Sequence, residues 1–299
     1  MASSERPPTI APAAAERWAR AAPPLSPWLH EEVGRRMEER LQWIKRVPGT
    51  WADWEPVRGG LEAHALVSAR YPQSRAWIVE PQPARAEAAR SRLAKPWWRR
   101  IGGAPPVEIG AVPAGGAQLL WANMQLHMAA DPQALLRRWH EALAVDGFLM
   151  FSCLGPDTLG ELRAAYSSAG WPPPAHEFTD MHDWGDMLVQ VGFTEPVMDM
   201  ERITLEFATP ERLLQELHEL GANLHPQRFP ALRGRGWKKA LLRLLDERLR
   251  GADGKLALTF EIVYGHAFKP LPRPRVGEQS AVPLADMRAM LQADRRGRE

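Results

Sequence analysis

Three short apolar stretches in the first half of the chain each carry a carboxylate at or near their C-terminal end. They are 51–54 with Asp53, 75–79 followed by Glu80, and 106–109 with Glu108. Helical patterns separate them, and such alternation predicts parallel strands joined by right-handed crossovers. Because small ligands bind beyond the carboxyl ends of the strands in such a sheet, the three acids predict a ligand site at one sheet edge.

The periodicity of the remaining chain extends this prediction to a mostly parallel α/β sheet of seven strands. The predicted strands are 50–54, 75–80, 106–109, 118–121, 148–152, 198–207 and 256–268. Strict alternation of apolar and polar residues makes 256–268 a long half-buried strand, which forms a C-terminal antiparallel hairpin with 198–207. Two amphipathic helices, 209–220 and 237–250, interrupt that hairpin, so we expect a helical insertion that acts as a lid.

The predicted domain organisation is one domain with a tail at each end. Residues 1–25 are rich in Ala and Pro and are expected to be a flexible tail, residues 26–270 to form the domain with its insertion at 208–254, and residues 271–299 to be a charged tail. An amphipathic helix with Leu29, Val33, Met37, Leu41 and Ile44 on one face precedes the first strand.

Composition excludes several classes of function. The 299 residues carry a net charge of +2, which gives no electrostatic argument for nucleic-acid binding. No apolar run is long enough to predict a membrane span, and no His, Cys, Asp or Glu cluster has the spacing of a metal site. Cys153 is the single cysteine, so no disulfide forms within the chain and we expect a cytoplasmic protein.

Four segments carry a resemblance to a known family: 28–41 in the helix before the first strand, 121–126 after the fourth strand, 151–159 after the fifth strand, and 258–265 near the end. The most specific is the string Ser-x-Leu-Gly-Pro-Asp-Thr-Leu at 152–159. These segments resemble class I S-adenosylmethionine-dependent methyltransferases, and more closely the malonyl-[acyl-carrier protein] O-methyltransferases of biotin synthesis. The similarity extends over roughly residues 28–270.

The resemblance implies a Rossmann-like methyltransferase fold and methyl transfer from S-adenosylmethionine to the free carboxylate of a malonyl thioester. The expected partner is an acidic acyl carrier protein. A malonyl carboxylate is already ionised near neutral pH, so no general base is required and we assign no catalytic acid or base. The protein has to desolvate and align the reacting groups.

The glycine-rich motif that follows the first strand in this family, Asp-x-Gly-x-Gly-x-Gly, is altered here. Asp53 and Gly59 match the motif and Gly60 follows, but Glu55 and Val57 replace the first two glycines. A valine is costly where φ must be positive. A Glu55 carboxylate about 4 Å from the carboxylate of the cofactor, at an effective dielectric near 20, repels it by about 4 kcal/mol. Pairing of Glu55 with the ammonium or sulfonium is the opposite possibility.

Other positions match the family pattern. Glu80 corresponds to the acid that accepts hydrogen bonds from the ribose hydroxyls, Glu108 to the acid near the adenine amino group, and Asn123 to the mouth where the methyl group is presented. On the insertion, Arg235, Lys238 and Lys239 are candidates for contact with an acidic carrier protein. The alternative for these cations is an ordinary solvated helix face.

Two other functions remain open on the sequence. The altered glycines favour a catalytically silent relative that keeps the fold as a carrier-protein or protein-binding module. A nucleotide-binding oxidoreductase is disfavoured because no G-x-G-x-x-G follows the first strand.

Overall fold

The computed structural model describes residues 10–93 and 107–271 of the chain. Strands and helices alternate from residue 50 onward, after two N-terminal helices. The helices are α1 (Pro12–Ala21), α2 (Trp28–Arg40), α3 (Pro56–Gly59), α4 (Leu61–Arg70), α5 (Pro83–Leu93), α6 (Pro132–Ala142), α7 (Gly160–Ser168), α8 (Met181–Val191), α9 (Pro210–Leu220) and α10 (Arg235–Leu249). The strands are β1 (Thr50–Trp54), β2 (Arg75–Val79), β3 (Val107–Ile109), β4 (Ala117–Ala122), β5 (Leu143–Leu154), β6 (Thr194–Phe207) and β7 (Leu256–Phe268).

The seven strands form one sheet in the order β3-β2-β1-β4-β5-β7-β6. The first five strands pair in parallel, and β7 runs antiparallel to both β5 and β6. This confirms the predicted mostly parallel sheet with an antiparallel C-terminal pair. The helices α9 and α10 lie between β6 and β7 in the chain, as the sequence predicts for an insertion.

Helix boundaries follow the local chemistry of the sequence. The Asp131 side chain accepts a hydrogen bond from the Ala134 N–H at 2.8 Å and so caps the N-terminus of α6. Pro132 occupies the first helical position, which proline favours. Gly192 adopts φ 111° and ends α8 in the left-handed conformation.

Apolar side chains cover both faces of the sheet. On one face, α2 packs on β5, α7 and α10 pack on β7, and α4 packs on α2, with Leu29, Tyr264 and Phe260 fully buried. On the other face, α6 packs on β4 and β5 around Trp139 and Phe151, and α8 packs on α6 and β6. Burial on both faces is the condition under which a parallel sheet is stable.

Two local features differ from the sequence expectation. Residues 12–21, predicted as part of a flexible tail, form α1, and the Ala11 N–H donates to the Leu224 carbonyl at 2.9 Å. Strand β5 begins at Leu143 and not at the predicted residue 148, and it contains an irregularity with Asp146 at φ 61°. The predictions for 1–9, Pro106 and 272–299 concern residues outside the described ranges.

Within residues 10–93 and 107–271, no helix has both the length and the apolar character needed to cross a membrane. The described part of the chain also holds no group of three or more His, Cys, Asp or Glu side chains arranged for a metal ion.

Candidate cofactor and substrate site

The parallel register brings the ends of β1, β2 and β4 to one edge of the sheet. Trp54 lies beside Val79, and Asp53 lies beside Trp121. The residues that follow these strands, Glu55, Glu80 and Asn123, therefore begin the loops at the same edge. The acids in and directly after β1 and β2 thus lie at the sheet edge where the sequence predicts them.

The loop after β1 bends at Glu55, which has φ 54° and ψ 49° in the left-handed region. Val57 is not at a positive φ, because it lies in the short helix α3, where its side chain is fully buried against Ile78 and Ala89. The conformational cost of replacing the motif glycines thus falls on Glu55 and not on Val57.

Gly60 must be a glycine for two reasons. Its φ is 133°, and a Cβ there would approach the Glu31 Oε2 to 2.6 Å. Glu31 accepts a hydrogen bond at this oxygen from the Ala63 N–H at 3.1 Å. A carboxylate from α2 therefore occupies the N-terminus of α4, where the helix dipole favours an anion.

Glu80 is held by two donors and has no solvent-exposed side-chain surface. Its Oε1 accepts from the Val57 N–H at 2.9 Å, and its Oε2 accepts from Arg85 Nε at 3.2 Å. Burial raises the pKa of Glu80 to about 7, while the Val57 N–H acts in the opposite direction. The same guanidinium donates to Glu55 Oε2 at 2.9 Å, so Arg85 joins both acids.

Asp53 is buried and hydrogen bonded to His64 on α4, with 2.8 Å between Oδ2 and Nδ1. The His64 ring stacks on Trp51 at 4.9 Å between centroids. Burial raises the pKa of Asp53, and the bond to His64 opposes that rise. This acid fixes α4 against β1 in the described structure.

Asn123 is also fully enclosed by protein. Its Nδ2 donates to the His30 carbonyl at 2.7 Å and to the Gly59 carbonyl, and its Oδ1 accepts from Ser152 Oγ at 2.5 Å. The side chain thereby ties α2, the loop after β1 and β5 together at the end of β4.

Glu108 does not join this cluster. It lies beside Trp77 in the sheet register, three positions before Glu80 along β2. Its nearest cation is Arg75 at 3.7 Å, and the side chains of both are substantially exposed. The structure therefore brings Glu55 and Glu80 together but leaves Glu108 apart.

Two adjoining cavities open at this edge. The smaller, of about 280 Å³, has the charged side chains of Glu55, Arg58 and Arg85 in its lining beside apolar residues such as Met124. The larger, of about 500 Å³, is mostly apolar and lies between the ends of β5 and β7 and the insertion helix α9. The two cavities share four lining residues, which are Trp18, His30, Met128 and Leu220.

Buried histidines line the larger cavity. His30 shares a hydrogen bond of 2.7 Å between its Nδ1 and the Arg58 carbonyl, and His176 one of 2.9 Å between its Nε2 and the His127 carbonyl. Burial lowers the pKa of His30 to about 3 and that of His176 to about 4, so both rings are neutral at pH 7. Neutral rings that donate to carbonyls stiffen the wall without adding charge.

The predicted basic residues lie on the insertion surface. Arg235, Lys238 and Lys239 are exposed on the first turns of α10. The preceding loop also exposes Leu232 completely and Phe229 to 44%. This loop follows directly from Asn223, which lines the larger cavity, so the cationic surface lies close in sequence to the cavity wall.

Sequence reasoning missed Arg85 and α1. Arg85 stands five residues after Glu80, so a first-turn cation behind a strand-end acid was the available signal. For α1 the signal was Pro12 at the first helical position followed by an alanine-rich run, which favours a helix. Neither pattern alone specifies a tertiary contact.

Comparisons with known proteins give the same fold. No protein-family model matches the chain. Among solved structures, the YcgJ protein of Bacillus subtilis superposes with a TM-score of 0.51 at 12% identity, covering 80% of this chain and 99% of that one.

Curated relatives match over most of the chain. Malonyl-[acyl-carrier protein] O-methyltransferase of Gallionella capsiferriformans is 39% identical over 262 residues, which is 82% of this chain and 85% of the relative. The enzyme of the same name from Laribacter hongkongensis is 36% identical, covering 83% of this chain and 84% of the relative. Identity of this extent, together with the sheet order and the strand-end site, shows that the chain belongs to the malonyl-[acyl-carrier protein] O-methyltransferase family.

Proposed function

We propose that this protein is an S-adenosylmethionine-dependent methyltransferase that esterifies the free carboxylate of a malonyl group on an acyl carrier protein. The observation that carries the proposal is the pair of adjoining cavities, one lined in part by charged side chains at the ends of β1 and β2 and one mostly apolar beneath α9. A polar cofactor and an acyl substrate then meet at their shared wall, around His30 and Met128. The role in biotin synthesis and the cytoplasmic location expected from the sequence belong to the same proposal.

The proposed cofactor residues are Asp53, Glu55, Gly59, Gly60, Glu80, Glu108 and Asn123. Carboxylate oxygens and loop amides suit a nucleoside with an ammonium and a sulfonium. The fit is incomplete in the described conformation, because Glu80 is fully covered and bonded to Arg85. Ribose hydroxyls reach Glu80 only after Arg85 moves, and Glu108 is the member with least support from the geometry.

The chain contributes alignment and exclusion of water to the proposed reaction. When bound, S-adenosylmethionine supplies an electrophilic methyl group. The malonyl carboxylate is ionised at neutral pH and needs no base, so the neutral His30 and His176 serve as walls. The apolar lining around Phe178 and Phe260 desolvates the carboxylate next to the shared wall.

The cofactor proposal is tested by calorimetric titration with S-adenosylhomocysteine. We expect saturable heat with a dissociation constant in the micromolar range. Mass spectrometry of malonyl carrier protein incubated with enzyme and S-adenosylmethionine should then show the addition of one methyl group. Absence of heat at millimolar ligand would contradict the proposal and favour a catalytically silent carrier-protein module.

We propose that the acidic carrier protein docks on the basic surface of Arg235, Lys238 and Lys239. Replacing all three by Glu should weaken association with the carrier protein and flatten its salt dependence, because the cations steer an acidic partner. The matched control replaces Lys45, Arg92 and Arg137 by Glu, which changes the net charge equally on other exposed surfaces. Equal affinity of the two triple variants would remove this surface from the proposal.

A further inference from the structure

Arg85, on the first turn of α5, donates hydrogen bonds to three acceptors at once. Its guanidinium donates to Glu55 Oε2 at 2.9 Å, to Glu80 Oε2 at 3.2 Å and to the Ala19 carbonyl at 2.7 Å. Only 4% of the Arg85 side chain is exposed. One cation therefore pairs with two acids, the covered Glu80 and the partly exposed Glu55, and joins them to the last turn of α1.

This contact leaves no access to Glu80. The other oxygen of the Glu80 carboxylate already accepts the Val57 N–H, and none of its side-chain surface is exposed. A hydroxyl donor from any ligand must displace Arg85 to reach Oε2. A buried arginine–carboxylate pair is a charge-assisted bond, so a neutral hydroxyl competes with it poorly.

Glu55 keeps a partner when Arg85 leaves Glu80. It lies 2.9 Å from the guanidinium and lines the smaller cavity. Arg85 can thus stay paired with Glu55 while Glu80 exchanges one partner for another. The Ala19 carbonyl is bonded by the same guanidinium, so a shift of Arg85 away from Glu80 disturbs an attachment of α1, whose Trp18 lines both cavities.

We propose that Arg85 sets the affinity of the cofactor site by occupying, on Glu80, the position of the ribose hydroxyls. Nucleoside binding then requires exchange of the Arg85–Glu80 pair for ribose–Glu80 hydrogen bonds, and this exchange loosens α1. The inference rests on the proposed function, since it names the ribose as the competing group. Arg85 lies outside the glycine-rich motif, so the motif does not predict this role.

The test compares two double variants with the wild-type protein. Arg85→Met with Glu55→Gln removes the competing cation and one acid, so the net charge is unchanged, and Glu55→Gln alone shows what loss of the Glu55 carboxylate contributes to the affinity. The matched control, Arg90→Met with Glu87→Gln, makes the same changes in an exposed pair on the same helix. In calorimetry with S-adenosylhomocysteine we expect the first variant to bind at least about tenfold more tightly than wild type, and the control to equal wild type.

Amide hydrogen exchange supplies a readout that does not depend on the reaction. Residues 12–21 should exchange faster in the Arg85 double variant than in wild type or control, and saturating S-adenosylhomocysteine should raise their exchange in wild type. If the double variant does not fold, Arg85→Lys, which keeps the charge but cannot span both acids, should give the same changes with smaller amplitude.

The outcomes separate this inference from the function on which it rests. Equal or weaker ligand affinity in a folded Arg85 variant, with measurable binding by wild type, overturns the role of Arg85 and leaves the methyltransferase proposal standing. Binding by neither protein overturns both. Tighter binding without a change in α1 exchange overturns the coupling to α1.

Discussion

At the scale of single residues, the altered glycine motif is accommodated by one left-handed residue and one arginine. Glu55 takes the positive φ that its motif position demands, and Arg85 compensates its charge. The sequence predicts the unusual backbone because the motif marks positions where glycine is normally required. It does not predict the compensation, because a pair 30 residues apart in sequence forms only through the packing of α5 against α3 and β3.

Asn123 has a structural role that its substitution should reveal. Asn123→Ala leaves the buried carbonyls of His30 and Gly59 without their donor, so we expect the free energy of unfolding to fall by about 2–3 kcal/mol. Urea denaturation followed by circular dichroism measures the change. Asn223→Ala, which removes two part-buried bonds, one to the Pro173 carbonyl and one from the His225 N–H, should cost about 1 kcal/mol. Equal losses would contradict the buried network.

At the scale of elements, helices and strands with strong periodicity are predicted best. The bounds of β1 and β7 in the structure equal those read from the sequence. β6 begins four residues earlier than predicted, at Thr194, because pairing with β7 continues past an irregularity at Thr194–Val197. Such an extension is determined by the partner strand and not by the local pattern.

The docking of helix α1 on the domain cannot be predicted from its composition. Its alanine and proline content resembles a linker, yet Trp18 lies against Arg58 at 5.4 Å from ring centroid to guanidinium and lines both cavities. The Arg58 guanidinium in turn donates to the Leu25 carbonyl at 2.8 Å. Contacts with residues distant in sequence hold this helix in place, so no local signal predicts its docking.

Trp18→Ala should undock α1 while the sheet remains folded. Loss of the indole removes the largest apolar contact of the helix, and we expect faster amide exchange over 12–21 and faster proteolysis between 10 and 27. The measurement is hydrogen exchange with peptide-level mass spectrometry. Trp43→Ala, at a tryptophan that is 78% exposed, is the control and should leave the exchange of α1 unchanged. Retained protection in Trp18→Ala would show that other contacts suffice.

At the scale of the whole molecule, the sheet topology can be predicted from the sequence, but the pairing of side chains within the site cannot. Alternating strands and helices restrict the topology, and Asp53, Glu80 and Asn123 fall where that topology predicts. Glu108 does not reach Glu80, since the register of β3 places it beside Trp77. Strand register and side-chain pairing depend on close packing between segments that are distant in the chain. No short stretch of the sequence specifies that packing.

The centre of the antiparallel part depends on one glycine. A Cβ on Gly265 would lie 2.4 Å from Phe151 Cε1 and 2.8 Å from Met198 Sδ, so Gly265→Ala should destabilise the protein by more than about 3 kcal/mol. Thermal denaturation measures the effect. Gly236→Ala is the control, because a Cβ there meets nothing within 4 Å and alanine favours α10, which should raise stability by up to about 1 kcal/mol. A mild effect of Gly265→Ala would contradict the packing.

The strand order also dictates how the nascent chain acquires its structure. β6 has β7 as its sheet neighbour, and β7 separates it from β5. While the ribosome is still translating the insertion, residues 194–207 have no strand to pair with, and β5 has an open flank. Until residue 268 has been synthesised, the charged side chains of β6, such as Asp199, Glu201 and Glu206, keep this unpaired segment hydrated.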